Sequence, residues 1–278
     1  MNFRNIVKHI DTLPALTDTA LVVRKLYENG AENVNISKLI KAIESDVILT
    51  ANILKMINSP IYGLSNTISS VSQAVTLFGT HLVYGLVVRY SIESVLVANL
   101  RPYGVSNKFF NDVSHMQSSL IREWYSKVDT ECSQFLASLT LIMESGKLVV
   151  AQEVVSSGSI KTFAAGFSAA QSITEYENSL FGSSSYYVSG LLFEHWNFES
   201  RYVDMLKGLD YEHDTESKLG ILIDALDVVR TAVNVKYLFT EDSIDDAADI
   251  VHEMGLNVND FTEACQKIKE NYLLSPES

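Results

Sequence analysis

Residues 46–79, DVILTANILKMINSPIYGLSNTISSVSQAVTLFG, decide the fold of this chain. They predict two helices joined by a turn. The Asp46 carboxylate can accept from the free amides of a first helical turn and favours the positive end of that helix. Leu49, Ile53, Leu54, Met56 and Ile57 follow at helical spacing and give one continuous apolar face. Asn58-Ser59-Pro60 ends the helix, because Pro60 pushes Ser59 out of the α region and has no amide to donate. Gly63 suits a positive φ in the turn. Ser69 or Ser70 then caps a second helix with Val71, Ala74, Val75 and Phe78 on its apolar face, and Gly79 suits the position just past its end.

Upstream, a lead-in is followed by a helix capped at Thr12 or at Thr17-Asp18. Its buried face is Ala20, Val23, Leu26 and Tyr27, and Asn29-Gly30 ends it. A short helix from Asn35 turns Ile36, Leu39, Ile40 and Ile43 inward. Downstream, Thr80 opens a helix running to about Asn99. Arg101-Pro102-Tyr103-Gly104 reads as a linker, dividing an N-terminal helical unit, residues 1–100, from a larger C-terminal unit, residues 101–278. That second unit predicts helices through Val113–Trp124, through Phe135–Met143 with a continuation or restart at Gly146-Lys147-Leu148, and through Tyr186–Trp196 after a serine cap. Further helices follow over residues 215–240, from Asp242-Ser243 to Gly255, and from Asn259-Asp260 onward, with a frayed tail at 274–278. Nothing alternates with period two for long, so the expected fold class is all-α.

The chain has 278 residues, 47% of them apolar, enough for a sizeable core. With 34 acidic against 21 basic residues its formal charge is −13. A nucleic-acid binder neutralises phosphates with a basic stripe, and none is visible, so nucleic acid is not an expected partner. A negative field also opposes adhesion to anionic lipid. The longest apolar candidate for a membrane span, residues 82–97, is broken by Arg89 and Glu93. The N-terminus lacks the apolar core of a signal peptide. Cys132 and Cys265 are far apart in sequence and read as buried thiols, which points to a cytoplasmic location.

Asp46, Leu49, Asn58-Ser59-Pro60, Tyr62-Gly63, Ile68, Ala74-Val75 and Phe78-Gly79 together resemble the signature of the HDOD domain, and Leu13-Pro14 resembles the dipeptide before that domain's first long helix. The resemblance implies a multi-helix bundle over nearly the whole chain. The signature lies in the N-terminal subdomain, and the C-terminal one is a degenerate relative of the HD phosphohydrolase core. It also implies a bacterial, non-catalytic role in signal transduction, working through an unknown protein partner in the control of gene expression or motility.

An HD hydrolase gathers a His, an adjacent His-Asp pair and a further Asp around one or two divalent metals, which lower the pKa of bound water. Carried over position by position, the resemblance puts Val113 where the first His would stand. His115, two residues on, lies roughly 200° around the helix and should point elsewhere. Gly146-Lys147-Leu148 aligns Met143-Glu144 with the His-Asp pair, and Met143 is a poor ligand for a hard ion. Tyr186 falls at a later histidine, Leu209-Asp210 replaces a His-His pair, and Asp224 or Asp227 matches the last acidic ligand. The literal His213-Asp214 sits in a polar connection where Asp214 reads as a helix cap. The expectation is therefore no metal, no cofactor and no hydrolysis. A nucleotide sensor using the degenerate pocket is the alternative, and a hydrolase with substituted ligands stands behind it. Asp46, Asn58 and Ser59 read first as residues that satisfy backbone groups, and Pro60, Ile61 and Tyr62 as a potential docking turn.

Overall fold

The computed structural model describes residues 2–28 and 30–274. Its helices in order are α1 (Phe3–Asp11), α2 (Asp18–Tyr27), α3 (Ile36–Glu44), α4 (Val47–Ile57), α5 (Val71–Val95), α6 (Asn107–Trp124), α7 (Thr130–Met143) and α8 (Gly146–Ser156). They continue with α9 (Ile160–Ala169), α10 (Ile173–Phe181), α11 (Ser185–His195), α12 (Ser200–Gly208), α13 (Lys218–Ala232), α14 (Glu241–Glu253) and α15 (Val258–Leu273). Among the described residues the only β pairing is an isolated antiparallel bridge between Val233 and Leu238, so the fold is all-α as expected. Asn29, read as ending the first long helix, and residues 275–278, read as frayed, lie outside the described residues.

The 46–79 stretch folds as its sequence dictates. Asp46 Oδ1 accepts from the Leu49 amide at 3.0 Å, and Oδ2 accepts from the Thr19 hydroxyl at 3.2 Å, tying α4 to the first turn of α2. Leu49, Ile53 and Ile57 are buried, each contributing on the order of 1.5–3 kcal/mol. Asn58 then closes the helix with a single amide. Its Nδ2 donates to the Leu54 carbonyl at 2.7 Å and to the Ile68 carbonyl at 2.8 Å, while Oδ1 accepts from the Ile68 amide at 2.7 Å. Ser59 is extended (ψ 141°), as a residue before proline must be, and Pro60–Tyr62 form a 3-10 turn that ends at Gly63 with φ 60°. Ser70 caps α5 through the Gln73 amide at 3.2 Å.

Two features of this region depart from a surface turn. Ile61 belongs to the core, and Tyr62 points inward, its hydroxyl 2.7 Å from His115 Nδ1 and its ring edge-on to Phe78 at 5.3 Å. The last helix, α15, lies over the turn, with Asn271 Nδ2 2.9 Å from where a Cβ on Gly63 would stand. Of the three residues read as a docking turn, only Pro60 is exposed. Gly79 interrupts α5 at φ 81° and ψ 167°, a conformation that a side chain would strain, so the helix predicted to end there resumes on a new axis.

Beyond the kink α5 is buried on nearly every side. Arg89, which breaks the apolar run in the sequence, is itself buried, and it uses its donors on four partners. It reaches Glu93 at 2.7 Å, the Ser114 hydroxyl and the Leu141 carbonyl both at 2.8 Å, and Asn111 Oδ1. One guanidinium thus fastens α5 to α6 and α7. The chain's beginning is tied to its second half as well. Trp196 Nε1 donates to the Pro14 carbonyl at 3.0 Å, and Arg24 donates to the Trp196 carbonyl. Pro102 and Tyr103 of the Arg101–Tyr103 turn are buried.

Several boundaries differ from expectation for local reasons. The lead-in contains α1, capped by Asn2, with Ile6 and Ile10 buried. Ile36 opens α3 facing solvent rather than the core. Three short helices, α9, α10 and α12, occupy stretches to which the sequence reading assigned no element. The helix expected over 215–240 starts only at Lys218, because Ser217 and not Asp214 is its cap. It stops at Ala232, where Asn234 Oδ1 accepts from the Lys236 and Tyr237 amides and turns the chain back. The caps of α14 and α15 are Thr240 and Asn257, two residues before those expected. Two helical stretches, Val71–Val95 and Thr130–Ser156, are long and apolar enough on average to cross a membrane. Of the second, 94% is enclosed by the rest of the chain, which marks it as a core segment.

Replacing Asn58 by Ala strands the Ile68 amide and carbonyl together. Urea denaturation should show a loss of roughly 2–4 kcal/mol. A loss below about 0.5 kcal/mol would mean that the turn is held by something else.

Candidate functional site

The corner between α7 and α8 keeps helical phase through Glu144 and Ser145, so Glu144 and Lys147, three residues apart, share one face. Their side chains form an ion pair of 2.5 Å with both members fully buried. The Lys147 ammonium also donates to the Ser185 hydroxyl at 3.0 Å and lies 4.1 Å from the centre of the Tyr186 ring. Glu144 Oε1 accepts from Gln117 Nε2 at 2.8 Å and from the Tyr186 hydroxyl at 3.2 Å. Burial by itself would pull the Lys147 ammonium down. The ion pair with Glu144, with Glu177 adding to it, outweighs that and holds it above its usual value, so it stays protonated. Burial also raises the Tyr186 phenol, with Glu144 adding to the effect.

A close helix crossing makes this arrangement possible. A Cβ on Gly146 would stand 1.9 Å from the Ser185 carbonyl oxygen, so only glycine lets α8 lie against α11. Ser189 seals the contact, accepting from the Gly146 amide and donating to the Met143 carbonyl, both at 2.7 Å. A second buried carboxylate, Glu177 on α10, accepts from the Tyr103 hydroxyl at 2.7 Å and from the Ser185 amide at 2.6 Å. On the outer side of Tyr186 the Arg230 guanidinium stacks 4.9 Å from the ring centre, and Nε of Arg230 pairs with Asp227 at 2.5 Å. Beyond it opens a cavity of about 870 Å3 between α10, α13 and α14.

The positions carried over from the resemblance fare differently. Glu144 and Tyr186 touch. Asp210 joins them at one remove, accepting from the amide and hydroxyl of Ser184, which caps α11. Leu209 contributes only its carbonyl, to Arg230 Nη2 at 3.1 Å. Val113 and Met143 are fully buried and bring apolar side chains alone. Asp224 is drawn away to His213 Nε2 at 2.9 Å, so the literal His-Asp dipeptide does not act as a pair. His115 points away from the cluster, to Tyr62. The sequence reading overlooked Gln117, Tyr103, Glu177 and Arg230, and took Lys147 only as part of a motif. One signal was available: Glu144 and Lys147 are the only charges between Phe135 and Ala151, at a spacing that places them together on a helix.

Among the described residues no three His, Cys, Asp or Glu side chains gather as a metal site. The donors of the cluster do not fit a divalent ion either. One carboxylate, a phenol and an amide surround a space already filled by an ammonium, and a second cation there would face Lys147 at contact range.

The signature turn is thus clamped by Asn58 and covered by α15, within an all-α bundle. The chain belongs to the HDOD domain family, whose model matches residues 13–210. Solved structures share the fold. A candidate signal transduction protein from Marinobacter aquaeolei VT8 superposes with a TM-score of 0.70 at 17% identity, over 97% of this chain and 63% of that one. A candidate phosphohydrolase from Shewanella amazonensis SB2B gives 0.66 at 14% identity, over 96% and 97% of the two chains. An HDOD domain protein of unknown function from Geobacter sulfurreducens gives 0.58 at 18%, over 98% and 97%. No curated protein matches this chain. At these identities the likeness carries fold alone.

The ion pair can be tested directly. Lys147→Met leaves Glu144 uncompensated in the core and should cost about 3–5 kcal/mol in chemical denaturation. Glu144→Leu combined with Lys147→Met should recover most of that loss, whereas equal losses in the single and double variants would refute a paired charge.

His115 supplies a pH test. Burial, aided by the Arg89 charge, lowers it to about 3. Below about pH 6.5 the unfolded chain therefore binds a proton that the folded chain refuses, and stability falls as pH drops through that window. Relative to His115→Gln, the parent should lose up to about 1.4 kcal/mol more for each pH unit below 6. Parallel stability curves would show that His115 is free to charge.

Proposed function

We propose that this protein is a non-catalytic regulatory module of a bacterial signalling pathway, controlling gene expression or motility through contact with a protein partner. The Lys147–Glu144 pair carries the reading. Where an HD enzyme would recruit a metal cation to polarise phosphate, this chain supplies its own cation and neutralises it with Glu144. Tyr186 covers the pair and both side chains are fully buried, which supports this reading.

The first turn of α4 supports a role by contact. Val47 and Ile48 are 78% and 76% exposed directly after Asp46, and half-exposed Val22 lies one turn along α2 from Thr19, which bonds Asp46. Adjacent exposed aliphatics on a rigid, capped helix end are the kind of feature that marks a protein interface. With Tyr62 turned inward, this face replaces the 60–62 turn as the proposed docking surface. The reading includes a cytoplasmic location, supported by the two buried, unpaired thiols of Cys132 and Cys265.

Two measurements test it. Bis(p-nitrophenyl) phosphate with Mn2+ or Mg2+ should show no turnover above buffer; turnover abolished by Glu144→Gln would overturn the non-catalytic assignment. Val47→Asp with Ile48→Asp should leave the Tm unchanged and remove the partner captured by the parent from source cells. An identical capture profile would count against α4 as the contact.

A further inference from the structure

His213 stands in the connection between α12 and α13, and both of its ring nitrogens face acceptors. Nδ1 lies 3.2 Å from the Tyr211 carbonyl oxygen, and Nε2 lies 2.9 Å from Asp224 Oδ1. A neutral imidazole has one N–H and one lone pair, so it can satisfy only one of the two; the other contact would set lone pair against lone pair. An imidazolium has two N–H groups and satisfies both. The geometry is that of a protonated ring.

The surroundings favour that charge. The side chains of His213 and Asp224 are 24% and 17% exposed, so the pair is sheltered yet still within reach of solvent protons. Asp224 and Asp227 approach it from α13, and the exposed Glu212 and Asp214 flank it in the chain. Asp227 is also paired with Arg230. Tyr125, just after α6, is pushed up to about 12 by burial, with Asp224 among the groups that add to it, so it brings no charge. Burial alone would pull His213 down; its hydrogen bonds to Asp224 and the Tyr211 carbonyl, with the charges of Asp224 and Asp227, outweigh that and lift it above its ordinary value. Among the described residues no metal-binding cluster competes for these carboxylates. The connection is held at its ends by other bonds, from Asp210 to Ser184 and from the Ser217 hydroxyl to the Asp214 carbonyl at 2.7 Å. Between them, His213 ties it to α13.

We infer that His213 is a proton-operated latch: as an imidazolium it bridges the Tyr211 carbonyl and Asp224 and pins the 211–217 connection to α13, and loss of its proton releases one of the two contacts. Because the folded chain holds this proton more tightly than the unfolded one, the latch is complete below about pH 6.5 and opens as pH rises through the higher value of the folded chain. Asp210, at the start of the same connection, bonds the Ser184 cap of α11, so the latch adjoins the helix that carries Tyr186. It lies apart from the α4 face and needs no partner, so failure of one leaves the other standing.

Proton NMR titration of the full chain tests the inference, with the His213 ring signals assigned by their loss in His213→Gln. The His213 midpoint should lie above that of the histidines in the urea-unfolded chain. Asp224→Asn keeps an acceptor but removes the charge, and should lower the midpoint by at least about 0.5 pH unit. Hydrogen exchange, corrected for its intrinsic pH dependence, reads the latch itself. The Tyr211 and Ser217 amides, bonded to the Gly208 and Asp214 carbonyls, should exchange about threefold faster at about pH 8.5 than at about pH 6 in the parent, and equally at both in His213→Gln. The inference is overturned if the midpoint lies at or below the unfolded value, if Asp224→Asn leaves it unmoved, or if parent and His213→Gln show the same exchange at both pH values.

Discussion

An ammonium with no access to water has to be answered by the chain around it, and Lys147 imposes that demand on half the molecule. Glu144 supplies the charge, Ser185 a hydroxyl and Tyr186 a ring face, while Gln117 holds the carboxylate from α6. They come from α6, α11 and the α7–α8 corner, so these elements are held in one mutual arrangement while the cluster is satisfied. Such a pair adds little net stability over an apolar core of the same shape, because desolvation cancels most of the attraction. What it does is penalise every other packing. Gly146 is the steric condition for it, since any side chain there would hold α8 away from α11.

The same logic recurs at lower charge in the first half of the chain. Asn58 fastens both backbone groups of Ile68, and Arg89 fastens three helices, using side chains that look like interruptions of apolar faces. These anchors fix the signature turn so that Tyr62 reaches His115, which couples the N-terminal helices to α6. Trp196 and Arg24 make the matching connection from the other end, onto Pro14 and back. The two halves are thus joined by directional bonds as well as by apolar contact.

The corner between α7 and α8 is filled by its own ion pair. The exposed start of α4 and the cavity on the far side of Tyr186 are both open to other molecules. One is apolar, the other is lined by polar and apolar groups alike, and they lie on different helices.

How much of this was legible beforehand follows from the range of the interactions involved. Caps and turns are local: Asp46, Ser70 and Ser184 each bond an amide within three residues, and Pro60 constrains its own neighbour, so these could be read from spacing. The all-helical class and the family signature rest on the same short-range rules. The failures were of two kinds. Short helices such as α9 and α12 lack a long apolar period and exist because neighbours cover them. The partners of Glu144, by contrast, lie 27 and 42 residues away, at Gln117 and Tyr186, and nothing in a linear pattern says which polar residue will face which. Sequence alone determined that the chain is helical, how its signature turn is capped and closed, and to which family it belongs. Only the tertiary structure decided which groups surround the Lys147 ammonium and that Tyr62 points inward, because long-range packing chooses the partner of each buried charge.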